Sequence, residues 1–171
     1  DDKVVILEGW TLKEVASAFS EFHARHSRVK GTYGEIKSSF EDEFLDEIKN
    51  IKKYKKDFDF LADLPEGKTL EGYLFPDTYK VYVNSDPEDI TEKMLANFGE
   101  KVNEGLIEEI KRQNKTVFEM VILASIVERE VRQEDEMKKV AGVYYNRLEE
   151  GINLQSDATV TFITGKKDPQ P

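Results

Sequence analysis

The run Met120-Val121-Ile122-Leu123-Ala124-Ser125-Ile126-Val127 constrains the fold more than any other part of the chain. A T-x-x-E capping box, Thr116 with Glu119, precedes it, and Glu128-Arg129-Glu130 ends it. An apolar stretch opened by a helix cap reads as a buried helix, so the rest of the chain must supply elements to cover it. The run is also far short of the ~20 apolar residues of a membrane span. The chain starts Asp1-Asp2-Lys3 and enters an apolar strand at once, with no basic and apolar leader pattern. That abrupt start reads as a trimmed fragment, with a natural soluble N-terminus as the alternative.

The elements around the run are legible from period and punctuation. Val4-Val5-Ile6-Leu7 reads as a buried strand closed by a turn at Glu8-Gly9. Thr11 and Glu14 form another capping box, and Leu12, Val15, Ala16, Phe19 and Phe22 recur at helical spacing, which predicts a helix over about 11–23. A second helix is expected to start after Ser38-Ser39, with Phe40, Phe44, Leu45, Ile48 and Ile51 inside. Leu64-Pro65-Glu66-Gly67 marks a break, placing one region at 1–66 and a second at 67–171. Leu70 to Val83 is aromatic and extended, bent at Pro76-Asp77. Its rings could stack on sugars, but aromatics more often pack cores. Ser85-Asp86-Pro87 opens a helix that continues through Ile90, Met94, Leu95 and Phe98 and stops near Asn103-Glu104-Gly105, ahead of a shorter helical piece at about 106–113. Met137, Val140, Ala141, Tyr144 and Leu148 predict a further helix with Gly151 at C′, forming a hairpin with the apolar helix. Asn153 to Val160 reads as a polar loop entering a short extended piece. The fold class is therefore α+β and predominantly helical: a small strand–helix lobe, an extended aromatic segment and a helical portion.

Composition removes several functions. The formal charge of -10 repels phosphate backbones, which excludes a general nucleic-acid binder. The absence of cysteine excludes disulfides, thiol nucleophiles and Cys-ligated zinc. His23 and His26 lack a third metal ligand nearby, and no metal or other cofactor is expected. Thr164-Gly165-Lys166-Lys167 lacks the first glycine and the Ser/Thr of a phosphate loop. The lysines between Lys49 and Lys56 read as a solvated helix end, with an anionic polymer as the alternative contact.

One carboxylate stands out. At 100° per residue, Val117, Val121 and Ala124 lie within about 60° of one another and Glu128 falls in the middle of that stripe, whereas Glu119 and Glu130 project to nearly the opposite side. A carboxyl against apolar surface should have a raised pKa, as a general acid near neutral pH requires. An ion pair with an arginine such as Arg129, Arg132 or Arg147, or a cap on a neighbouring loop, is the competing structural explanation. The amides, hydroxyls and carboxylate of the 153–160 loop suit sugar hydroxyls and acetamides, and equally suit ordinary turns.

Three stretches together carry a resemblance. Leu123 to Glu130 resembles the L-A-S-I-V-E-K-E signature of the endolytic murein transglycosylase, or YceG-like, family. Leu70 to Tyr79 is similar to that family's E-G-x-x-x-P-D-T-Y segment, and Val140 to Val160 to its V-A-x-V-x-x-N-R-L and L-Q-x-D-P-T-V stretches. Ala158 departs from the pattern, standing where proline is usual, and Thr161-Phe162 replaces a tyrosine-bearing pair. The resemblance implies an enzyme that cleaves peptidoglycan glycan strands internally, at the outer face of the bacterial cytoplasmic membrane, with peptidoglycan synthases as partners. It implies a membrane anchor absent from this chain, a LysM-like region whose second half is Val4 to Phe22, and a catalytic domain continuing past Pro171. By position it implies Glu128 as the catalytic glutamate. Gln155, Asp157 and Asn146 become candidates for orienting the sugar. Glu71 is a further substrate-binding candidate beside Gly72, and with Glu130 an alternative carboxylate. A non-catalytic glycan-binding scaffold that recruits synthases is the alternative function.

Overall fold

The computed structural model describes residues 2–27 and 30–164. The Gly165-Lys166-Lys167 stretch lies outside the described residues. Contacts divide the chain into two compact units, residues 1–118 and 119–171.

The first unit is organised by one pair of short strands. β1 (Asp2–Val5) pairs antiparallel with β2 (Thr78–Val81), with Val4 opposite Tyr79. Val4 and Ile6 are buried while Val5 and Leu7 are exposed, so the β-branched run at the start is covered on one face only. Two strands cannot enclose a four-residue apolar run on both sides. Between the strands come α1 (Leu12–His26), α2 (Tyr33–Glu47), the single turn α3 (Ile51–Tyr54) and a 3-10 turn at Asp59–Leu61. The Thr11–Glu14 capping box forms, and Leu12, Val15, Ala16, Phe19 and Phe22 are all buried, as their spacing predicts. α2 starts earlier than the spacing suggests, because Thr32 and Glu35 form a capping box ahead of a polar first turn. The helix ends at Ile48, and Ile51 belongs to α3.

Aromatic packing joins these pieces. Phe19 stacks on Phe44 at 5.8 Å and meets Tyr79 edge-on at 6.4 Å. Phe60, Tyr73 and Phe98 form a second cluster, with ring centroids 4.8 to 6.3 Å apart. Tyr73 is fully buried and Leu70, Leu74, Tyr79 and Val81 are buried, whereas Tyr82 and Val83 are exposed, so the rings of Tyr73 and Tyr79 pack the core. Residues 71–74 form a turn, and only 78–81 are extended as expected. The turn at Leu64–Gly67 lies within this unit, and β2 beyond it completes the sheet. Asp86 caps α4 (Pro87–Lys101) with Pro87 in the first turn, and Asn103 caps α5 (Glu104–Arg112). The lysine cluster is tied locally: Lys49 to Asp46, Lys52 to Glu66, and Lys53 to both Glu47 and Glu88.

The second unit contains most of α6 (Val117–Glu130), then α7 (Glu134–Glu149) and α8 (Asp157–Thr164). Leu123, Ile126, Val127 and Tyr144 form its buried cluster, with Val131, Met137, Val140, Ala141, Tyr145 and Leu154 packed around them. α6 and α7 are thus a packed hairpin, although Leu148 is exposed. Gly151 takes φ 68°; its N–H donates to Leu148 O and that of Ile152 to Arg147 O, a Schellman cap. The extended piece expected near Val160 is instead helical. Asp157 sits in the first turn of α8, and the Ser156 carbonyl accepts both the backbone N–H and the hydroxyl of Thr159. The β-branched residues there suit a strand as well as a helix, and the turn at Ser156 starts a helix.

Among the described residues no helix is long and apolar enough to cross a membrane. The molecule is predominantly helical, with a single small sheet among the described residues.

Candidate functional site

Glu128 lies in the last turn of α6 and is half-buried. The packed side of this helix in the second unit is the side of Leu123, Ile126 and Val127. By helical geometry that side lies nearly opposite Glu128. On Glu128's own side Val121 is half-buried and Ala124 exposed, and on its flanks Ile122 and Ser125 are exposed. Val117, at the start of the same stripe, is buried, so the apolar stripe is covered at its first turn and open at Ala124. The middle of α6 is apolar all round, so periodicity could not choose the packed face; α7 chooses it. Glu128 stands half-buried at the end of a side of α6 that is open at Ala124 and closed at Val117.

Glu130 occupies the other side. Its Oε1 accepts from the hydroxyl of Ser156 at 2.5 Å, and Ser156 is 4% exposed. Tyr144 is buried beside this pair; burial comes first, ahead of the nearby Glu130 carboxylate, in pushing its phenol pKa up. Arg147, on the last turn of α7, reaches into the following loop. Its Nη1 donates to Asn153 O at 3.2 Å, Leu154 O at 2.8 Å and Gln155 Oε1 at 3.1 Å. Gln155 holds φ 55°, a left-handed conformation that costs a non-glycine residue about 1 kcal/mol or more. Asp157 is exposed in the first turn of α8, and Asn146 is exposed on α7. The structure thus ties Gln155 to Arg147, and the adjoining Ser156 to Glu130. Sequence reasoning assigned Ser156 no role and named Arg147 only as a pairing partner for Glu128, although both lie inside the quoted motif stretches.

Glu71 belongs to the first unit, where its work is visible. Its carboxylate accepts the Leu12 N–H at 3.2 and 3.4 Å, satisfying a donor at the start of α1. Burial raises its pKa above the usual range; the Leu12 hydrogen bond opposes this and the nearby Glu14 adds to it.

A family model described as the YceG-like family matches residues 1–170. The chain belongs to the YceG-like family. It is 31% identical over 165 residues to the endolytic murein transglycosylase of Streptococcus pneumoniae serotype 2 (strain D39 / NCTC 7466), covering 95% of this chain and 29% of that protein. It is 30% identical over 173 residues to the endolytic murein transglycosylase of Bacillus subtilis (strain 168), covering 96% of this chain and 44% of that one. The crystal structure of a putative yceG-like protein from Listeria monocytogenes superposes with a TM-score of 0.78 at 24% identity. That match covers 100% of this chain and 54% of the other, and it establishes the fold. The chain therefore spans less than half the length of the curated relatives it matches.

Proposed function

We propose that the protein of which this chain is part is an endolytic lytic transglycosylase of peptidoglycan, with Glu128 as its acid and then its base. The observation that carries the reading is the placement of Glu128 at the end of the side of α6 that is open at Ala124, within a family whose curated relatives bear that activity in their names. An open face admits a polymer from the side, as cutting within a strand demands. The bound strand would also exclude water from Glu128, supplying the desolvation that favours a protonated carboxyl.

One carboxyl suffices because the substrate brings the nucleophile. Glu128 protonates O4 of the N-acetylglucosamine leaving group as the bond from muramyl C1 to that oxygen breaks. The resulting carboxylate takes the proton from the muramyl C6 hydroxyl as its oxygen bonds to C1. The proton count closes, Glu128 ends protonated, and the product carries a 1,6-anhydro ring without consuming water. An ordinary glycosidase needs a second carboxylate for its water or its covalent intermediate. Gln155, Asp157 and Asn146 orient the sugar, whereas Glu71 belongs to the first unit, where its carboxylate is engaged by the Leu12 N–H. The enzyme acts at the outer face of the bacterial cytoplasmic membrane, held by an anchor outside this chain, beside peptidoglycan synthases. In domain terms, residues 1–66 correspond to the LysM-like lobe with its helical connection and 67–171 to the start of the catalytic domain.

The test is product analysis by mass spectrometry on purified glycan strands, comparing the full-length protein with its Glu128→Gln form. Internally cut fragments with anhydro ends from the wild type, and a rate at least ~100-fold lower from the variant, are expected from the usual contribution of a general acid. Normal turnover by Glu128→Gln would remove the assignment. Glycan binding without any cleavage would favour a scaffold.

A further inference from the structure

The Asn153–Asp157 loop is held from both sides by groups that the reaction scheme does not use. Arg147 gathers two loop carbonyls and the Gln155 side-chain oxygen on one guanidinium nitrogen. Ser156, buried in the loop's centre, gives its hydroxyl hydrogen to Glu130. Between these two ties Gln155 is kept in a left-handed backbone conformation that it would not adopt unaided. Glu130 sits two residues beyond Glu128 on the same helix, about 3 Å along its axis. The loop is therefore anchored to the rigid turn that carries the proposed proton donor.

We propose that Glu130, Ser156 and Arg147 are positioning residues. Glu130 and Ser156 strap the sugar-orienting loop to the last turn of α6, Arg147 ties it to the last turn of α7, and together they set Gln155 and Asp157 at a fixed offset from Glu128. This rests on the assignment of Glu128 above and gives Glu130 a role other than acid or nucleophile. A carboxylate oxygen that accepts a buried hydroxyl hydrogen acts as an acceptor, and its partner lies on the packed side of the helix rather than the open one. Geometry is worth this investment. A shift of about 1 Å between a reacting group and the residues orienting its substrate costs on the order of 100-fold in rate. A loop with a strained residue would relax by more than that once cut loose. The arginine is suited to its part because its guanidinium stays charged and is more weakly hydrated than a lysine ammonium, so it gives up less on settling among carbonyl oxygens.

The experiment measures kcat, KM and the pH profile for glycan cleavage by the full-length protein and its variants, with thermal melting of each. Glu130→Gln leaves an oxygen to accept from Ser156, so it should keep at least a tenth of wild-type kcat and the same pH profile. Glu130→Ala and Ser156→Ala should each lose 10- to 100-fold, mainly in kcat, and the double variant should lose no more than the worse single one. Arg147→Lys should lose about tenfold while melting as the wild type does, so the reading survives even where an alanine variant fails to fold. Three results would overturn it. Glu130→Gln as inactive as Glu128→Gln, with the basic limb of the pH profile gone, would make Glu130 the acid. Folded alanine variants with wild-type kcat would make the strap irrelevant to turnover. Fully additive losses would mean that Glu130 and Ser156 act separately. Normal turnover by Glu128→Gln is the distinct sign that the underlying assignment, rather than the strap, has failed.

Discussion

Glu71 shows how a single residue can carry two readings. Its place beside Gly72 suggests a polymer contact, and its hydrogen bonds show a group satisfying the first N–H of α1. Because its folded pKa is raised, its charged form is disfavoured by folding. The associated stability is present below the unfolded value near 4.5 and is lost as pH rises through the folded value. Glu71→Gln keeps an acceptor for Leu12 and removes the charge, so it should melt above the wild type at pH 7 and level with it at about pH 4. Equal or lower melting at pH 7 would show that the ionised carboxylate is needed at the start of α1. Burial of this kind could not be read from the sequence, since the contact joins residues 59 positions apart. Glu128 is singled out by its spacing, and its catalytic role is proposed. Its angular place on α6 follows from residue spacing, while the choice of packed face depends on which side α7 covers.

At the scale of elements, caps were the most dependable signals. Gly151 ends α7 through its positive φ, and Thr11 and Asp86 start their helices through side-chain caps. Thr32 does the same at α2 and went unnoticed because the first turn after it is polar. The helix at Asp157–Thr164 was hidden by β-branched residues that suit a strand equally well. Gly151 supports an element-scale prediction. Its φ of 68° penalises any side chain, although a Cβ there would meet no neighbour within 4 Å. Gly151→Ala should therefore destabilise by about 1 kcal/mol through backbone strain alone. Because it follows Arg147 closely, it should also lower turnover more than its stability cost explains, which comparison of urea melts with kcat would reveal. A change in stability with no change in kcat would separate the α7 cap from the loop it precedes.

For the molecule as a whole, the two units differ in how they hold together. The first has two aromatic clusters and a deep set of fully buried side chains, among them Phe19, Phe44, Tyr73 and Met94. The second relies on Leu123, Ile126, Val127 and Tyr144, and it leaves Ile122, Val143, Leu148, Ile152, Val160 and Phe162 exposed. Hydrogen exchange should accordingly find the slowest amides in α1, α2 and α4 and faster exchange through α6 to α8. Uniform protection would mean that the units open together. The central claim concerns chemistry, and the most direct measurement runs the full-length protein on glycan strands in oxygen-18 water and weighs the new ends. Internal transfer to the C6 hydroxyl predicts ends lighter by one water than hydrolytic ones, with no label incorporated. Ends carrying an added, labelled water would show hydrolysis, contradict the single-carboxyl mechanism and require a second catalytic carboxylate beside Glu128.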